Sequence, residues 1–436
     1  MIEKFKRFWE SVNIAPENLP EKVIWYYMTG TYVLYFIGAQ HLLVPAIGWG
    51  MALYLIKKLW QQNEDTPEAE KIRIPLGVWI WIICMLMMQV SLVGSHLDFD
   101  MGMPRIIRST INFFARTWAL FALFPLMGCF KIRPKLIYRA ACILAIQSII
   151  FIIIGLIAHE VLPRGLLYLS PLQKLGGVGE EYYNVFLYAT DGETGKLRLY
   201  LFTPWAPALG LVGNIYLFLT MQEPNKKLRW IGMFGSAAMV WGSDSRLGLL
   251  CLLSLPIIRW VLANFTKPFI QIGAGVTSLG AGIFGIQILT WYKDFRAQFD
   301  SQRAGSSRVR EVLGNLAVYR WSNDAPIWGH GLLEPKGPAV VTNKPIGSHH
   351  TWFGLLFANG IVGFIAFAVA LAWSFIEFLV KAHRYETAKV ALGLILVLFM
   401  FSFGENLEAL IYIYWPALVM MGIAFKEKLF TLSGNH

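Results

Sequence analysis

The sequence predicts an all-α polytopic membrane protein with about twelve transmembrane helices and a large outer loop that contains an amphipathic helix. Three observations lead there. The 436-residue chain is 56% hydrophobic and only 15% charged, whereas a soluble domain needs about 25% charged residues to cover its surface. The apolar residues gather in runs close to the roughly 20 residues a helix needs to cross the hydrocarbon core. The net charge of +11 sits in short basic clusters between those runs. That is the pattern of topology signals and not of a nucleic-acid groove, so the bilayer is the expected partner and nucleic acid is not.

The elements follow in chain order. Residues 1–22 are polar, carry both signs of charge and lack the apolar core of a cleaved signal peptide; they read as a cytoplasmic segment. Two short runs, 23–38 and 41–56, form a hairpin. Longer runs lie near 75–95, 110–130 and 140–158. The polar stretch 159–198 separates them from spans near 199–221, 229–242, 247–264 and 269–292, so residues 23–292 hold nine spans. Residues 293–350 are the largest extramembrane piece, and a loop of that size is usually functional. Inside it, SSRVREVLGNLAVYRW sets Val309, Val312, Leu313, Leu316 and Ala317 at helical spacing, with Ser306 or Ser307 as the expected N-cap. Residues 351–425 hold the last three spans, near 352–380, 388–404 and 409–425, and 426–436 form a cytoplasmic tail. The four cysteines, Cys84, Cys129, Cys142 and Cys251, all fall in apolar runs and read as small buried hydrophobes.

Charge orients the chain. With a cytoplasmic N-terminus, the inner segments hold 22 Lys and Arg residues, and the four short outer connections hold three, Arg105, Arg108 and Arg246. This positive-inside bias puts both termini in the cytoplasm and the two long loops outside.

The unusual polar residues then share one face. His349 and His350 end the long outer loop, Arg198 ends the other, Arg246 sits in the tight turn WGSDSRLGLL, and Arg303, Arg308 and Arg310 flank or enter the loop helix. Arg offers a charged planar fork suited to phosphate, and His takes a proton near neutral pH. A convergent set of this kind suits an anionic headgroup. Arginines at span ends also snorkel to the interface without further purpose. Arg246 has little freedom to do so in so short a turn, where a local salt bridge to Asp244 is the simplest expectation. Arg116 lies two turns into a span, a costly position, with no assignable role. Asp98 and Asp100 form a D-x-D pair that suits a hard cation, but solvated loop acids are the commoner case; Glu405 and Glu408 form a second weak pair. His330 in PIWGHGLL reads as a turn residue. Adjacent histidines lack zinc spacing on a helix. No G-x-x-x-x-G-K-[ST] or G-x-S-x-G motif occurs. No cofactor and no metal are expected.

Four patches resemble the family of O-antigen ligases and O-antigen polymerases: RLYLFTPWAPALG, SDSRLGLL, SSRVREVLGNLAVYRWSNDAPIWGHGL and SHHTWFGLLFANGIVG. The resemblance implies a GT-C-like glycosyltransferase of the bacterial inner membrane with its site facing the periplasm. It implies an undecaprenyl-pyrophosphate-linked glycan as donor, and lipid A–core or another lipid-linked glycan as acceptor. By position, His349 matches the family's functional histidine, because Gly360 and Gly363 follow at the family's spacing, while His350 stands where the family often has asparagine. Arg246 and Arg308 match the arginines that handle the pyrophosphate, with Arg198 a further one and Arg310 beside Arg308. The implied chemistry is metal-independent inverting transfer, with His349 as base and His350 orienting the acceptor or His349. Ligase and polymerase share this donor chemistry. A lipid-linked glycan transporter and an inert scaffold are the readings from other classes.

Overall fold

A computed structural model describes residues 14–68, 70–162, 165–176, 179–192, 194–301, 304–332 and 344–428. Most of the expected N-terminal segment, Arg303, and the tail beyond residue 428 lie outside the described residues. The chain is predominantly helical. Each of the twelve apolar runs is occupied by a helix or by a group of consecutive helices. The first run is shared by α1 (Leu19–Thr29) and α2 (Thr31–Ile37); α3 (Gln40–Trp60) and α4 (Leu76–Asp98) follow. The fourth is built from α5 (Met103–Ser109), a π-helix (Thr110–Trp118) and α6 (Leu120–Met127). After α7 (Pro134–Val161) and the single turn α8 (Gln173–Gly176) come α9 (Ala206–Thr220), α10 (Lys226–Gly242) and α11 (Arg246–Ala263). The rest are α12 (Pro268–Ile283), α13 (Gly285–Ser301), α14 (Ala304–Asp324), α15 (Thr351–Lys381), α16 (Glu386–Phe401) and α17 (Leu407–Phe425).

Among the described residues, six helices are long and apolar enough to cross a membrane: α3, α4, α7, α11, α15 and α17. Two bent pairs raise the number to eight, one bent by 42° between the π-helix and α6, the other by 80° between α12 and α13. This is the architecture of a predominantly helical multi-pass membrane protein, with fewer full-length spans than the twelve runs suggest. The shortfall has physical reasons. The run at 199–221 does not become helical until Ala206, because the chain leaves a strand there and Pro207 opens the helix. The run at 269–292 turns sharply at Phe284, and α12 has no buried residue. The segment 159–198 departs from the all-α expectation. It carries two antiparallel pairs, β1 (Leu166–Leu169) with β2 (Asn184–Phe186) and β3 (Tyr188–Thr190) with β4 (Leu197–Leu199), which satisfy backbone groups that no helix takes up.

The bundle is organised around α17, whose apolar stretch is 89% buried and which packs against α6, α16, α3, α15 and α9. A second layer joins α7, α9 and α10, and α4 packs along α15. Helix α14 lies on the N-terminal part of α15, with Leu313 and Ala317 buried as the spacing predicts. It begins at Ala304, so Ser306 and Ser307 fall inside its first turn and not at the expected cap.

Helix α15 is broken at Gly360, whose φ of 60° and ψ of −163° no helix contains. The backbone groups freed by the break are taken up by the Pro326–Gly331 turn. His330 and Gly331 donate their N–H groups to the carbonyls of Phe357 and Ala358, both at 2.8 Å, and Ile361 and Val362 donate to Pro326 and Ile327 at 3.0 and 3.3 Å. A Cβ on Gly360 would sit 2.2 Å from the Ile327 carbonyl oxygen, so only glycine fits. The sequence puts Gly360 inside the continuous run 352–380; the structure makes it the break itself. His330 stands in this turn, as its sequence context predicts. Its ring is buried between Phe99 and Phe357, at centroid distances of 5.4 and 4.3 Å.

Candidate functional site

The α16–α17 turn clamps the histidine pair. Buried Thr351 donates its N–H to the carbonyls of Ser402 and Glu405, at 2.9 and 3.1 Å, and its hydroxyl to Glu405 at 2.6 Å. The same hydroxyl oxygen accepts the Leu407 N–H at 3.0 Å. Asn406 Nδ2 donates to the Gly347 carbonyl at 3.3 Å, and Trp352 Nε1 to the Ser402 hydroxyl at 2.8 Å. Between these anchors His349 adopts a φ of 64°, a left-handed conformation that costs an L-residue roughly 1–2 kcal/mol. The surrounding hydrogen bonds hold the strain, and strain held in this way gathers at functional sites.

His350 has a different task. It caps α15, its Nδ1 accepting the Phe353 N–H at 3.3 Å. In the neutral ring the proton therefore sits on Nε2. The ring stacks on Phe353 at 4.0 Å and meets the edge of Phe403 at 5.8 Å.

His349 opens onto a cavity of about 540 Å³. The cavity brings together Arg198 from β4, Arg246 at the start of α11, Arg310 from α14, Lys344, Asp191 and Glu405. Arg198 is anchored: its Nε donates to the Ser243 carbonyl at 3.2 Å and its Nη1 pairs with Asp191 at 3.2 Å. Arg246 follows Ser245, which caps α11 by accepting the Gly248 N–H at 3.1 Å, and the turn before it is set by Asp244 at a φ of 48°. Arg308 is exposed and does not line the cavity. Two positions along a helix are about 200° apart, so only one of Arg308 and Arg310 can face it, and Arg310 does.

Electrostatics divides the ionisable groups. Burial, then the charges of Lys344 and Arg310, lowers the His349 pKa to about 4, so its ring is neutral at physiological pH. Burial and Arg310 lower that of His350 to about 4. Glu405 moves the other way. Burial pushes its carboxyl up to about 7, against the pull of Arg310, the Trp205 hydrogen bond, Arg198 and Lys344, and its Oε2 accepts the Trp205 Nε1–H at 2.8 Å. Sequence reasoning passed over Lys344 and set Glu405 among weak acidic pairs. The signal was its place, in GENLE between the last two runs and on the arginine face.

An apolar groove of about 470 Å³ runs between α11, α15 and α16, lined by Trp352, Leu371, Phe375 and Phe399 among others. Asp98 and Asp100 are exposed at the end of α4. Among the described residues, no three His, Cys, Asp or Glu side chains are gathered as ligands for a metal ion. No protein-family model matches the chain, and no curated protein matches it in sequence.

Proposed function

We propose that the chain is an O-antigen ligase-type glycosyltransferase. It moves a glycan from an undecaprenyl-pyrophosphate donor to an acceptor sugar hydroxyl, that of lipid A–core, at the periplasmic face of a bacterial inner membrane. In this reading all twelve apolar runs cross the bilayer in a GT-C-like arrangement and both termini are cytoplasmic. The observation that supports it most is the cavity that joins three arginines and a lysine to a neutral, strained histidine.

The chemistry needs those groups. The pyrophosphate sits among Arg198, Arg246 and Arg310, and the polyprenyl tail follows the apolar groove. The acceptor oxygen attacks the anomeric carbon and the bond from that carbon to the pyrophosphate oxygen breaks, with inversion. The hydroxyl proton passes to His349 and from there to solvent. Undecaprenyl pyrophosphate leaves with its charge held by preorganised guanidinium groups. A histidine with a pKa of about 4 is a weak base; burial is the largest cause of that depression, and Lys344 and Arg310 are the other two. Those are cations the pyrophosphate would neutralise, so donor binding raises the basicity of His349 towards the range a base needs.

The test is transfer in detergent by the purified chain, from a lipid-linked donor to lipid A–core. His349→Ala should lower transfer steeply and retain donor binding; near-normal turnover in that variant would exclude His349 as the base. A polymerase would use the same residues. Deleting the gene separates the two: unmodified core with retained lipid-linked polymer marks a ligase, and a single repeat on the core marks a polymerase. The break at Gly360 favours a second reading, since transporters use discontinuous helices. Transfer in detergent, where no compartments exist, decides against a transporter.

A further inference from the structure

A second cavity, of about 450 Å³, borders the same two chain stretches as the first. The first takes Lys344, His349, Gly404 and Glu405 from them, and the second takes Pro345, Gly354, Asn359 and Glu408. Further parts of its wall come from the π-helix, through Arg116 and Trp118, from the turn that carries Glu181 and Tyr182, and from His41 of α3.

Three features mark it as a built site. The π-helix is a widened turn, in which the Ala119 N–H reaches back five residues to the Phe114 carbonyl at 2.9 Å. Such turns recur at functional sites, and this one contains Arg116, a guanidinium that hydrogen-bonds the Tyr183 hydroxyl. The Tyr183 hydroxyl also lies 3.5 Å from His41 Nδ1, and the His41 ring stacks on Tyr182 at 4.7 Å. Glu408 uses Oε1 to accept the Asn406 Nδ2–H at 3.0 Å, but its Oε2 is buried without a partner. A buried acceptor left unmade is costly, and a ligand that donates to it removes the cost.

The chemistry of the walls selects the ligand. Glu181 and Glu408 stand against the one guanidinium, so a pyrophosphate gains nothing here. Carboxylates accept hydroxyl hydrogens, a guanidinium donates to hydroxyl and ring oxygens, and Trp118 and Tyr182 add aromatic surface to the lining. We propose that this second cavity is the acceptor subsite, holding a sugar ring of the acceptor glycan with its hydroxyls on Glu408, Glu181 and Arg116. The proposal rests on the transferase reading above. It gives Arg116 a purpose, because a charge inside an apolar run is expected to serve a ligand.

The experiment uses the full-length chain in detergent and native mass spectrometry with two separate probes. One is undecaprenyl pyrophosphate. The other is the host cell's own core oligosaccharide, released from lipid A by mild acid. Glu408→Gln should weaken oligosaccharide binding about tenfold, as expected for the loss of a charge-assisted hydrogen bond, and leave undecaprenyl pyrophosphate within twofold. Glu181→Gln, on an exposed residue whose replacement does not threaten folding, should shift the oligosaccharide the same way and raise the acceptor KM without lowering kcat. If both variants bind the oligosaccharide as the wild type does, the subsite is wrong while the transferase reading stands. If they weaken undecaprenyl pyrophosphate instead, the cavity belongs to the donor. If the wild type fails to bind undecaprenyl pyrophosphate at all, both the subsite and the reading beneath it fall.

Discussion

The two cavities share the stretches 344–359 and 404–409 as walls and have opposite character. Around His349, four cations face Asp191 and Glu405; around Glu408, Arg116 faces Glu181 and Glu408. Glu405 and Glu408 are three residues apart, one on each cavity. On the proposed reading, one turn of chain separates a place for an anion from a place for a polyol. A transferase needs that sorting, because donor and acceptor must meet at one base without exchanging sites. His349 lies on the cationic side of the clamp, where the proposed transfer would develop the leaving charge.

The largest expected effect breaks the comparison at the base. His349→Ala should lower transfer by about 10²–10⁴-fold, the range of a positioned general base, and leave binding of donor and of core oligosaccharide intact. Single-turnover transfer and the two binding measurements check this together. A loss of oligosaccharide binding of similar size would mean that the histidine belongs to the second cavity.

Next in size is the contrast between arginines. Arg246→Gln and Arg310→Gln should each lower kcat/KM by about 10²-fold, as the loss of one preorganised donor does. Arg308→Gln should change it less than threefold, because that side chain is exposed and off the cavity. If Arg308 proves the more sensitive of the pair, helix α14 docks in a different rotation when donor is bound.

A third test concerns the frame common to both cavities. Gly360→Ala forces an L-residue to a φ of 60° and drives its Cβ against the Ile327 carbonyl. The dihedral alone costs about 1–2 kcal/mol, and the collision adds to it. Thermal unfolding in detergent should show a clear loss of stability, with both cavities losing ligand affinity together. Gly50→Ala offers a comparison, because Gly50 lies in the regular helix α3 and an added Cβ there meets nothing within 4 Å.

How far the sequence reaches is clear from these residues. The apolar runs were legible because lipid demands them, and the short or bent helices within them were not, because hydropathy measures length and not direction. Arg198, Arg246 and His349 were legible as polar groups at the ends of runs on one face. Choosing between Arg310 and Arg308 needed the docked phase of α14, which spacing alone does not give. The clamp at Thr351 is built from hydrogen bonds to residues more than 50 positions away, and no local pattern announces it. Gly360 and the Pro326–Gly331 turn stood in the sequence as separate patches. Only the fold shows that one satisfies the backbone the other breaks.

The smallest expected effect is also the sharpest probe of the charge sorting. Glu405 faces Arg198, Arg310 and Lys344 and has a pKa of about 7, so near neutral pH it is shared between its two forms. A doubly esterified pyrophosphate keeps its charge through this range, and bringing it beside Glu405 disfavours the carboxylate. Donor binding is therefore linked to proton uptake, and affinity must rise as pH falls through 7. The His349 term has the same sign, since donor raises its pKa from about 4, but it enters only at lower pH. Between pH 8 and pH 6 the wild-type chain should bind donor several-fold more tightly at the acid end, by titration calorimetry in buffers of different ionisation enthalpy. Glu405→Gln should bind tightly across the range, with the proton uptake gone. The same pH change should leave oligosaccharide binding nearly flat if Glu405 serves only the first cavity. A parallel pH dependence of both ligands would show that one turn of chain does not insulate the two cavities, and that acceptor binding senses the charge state of the donor site.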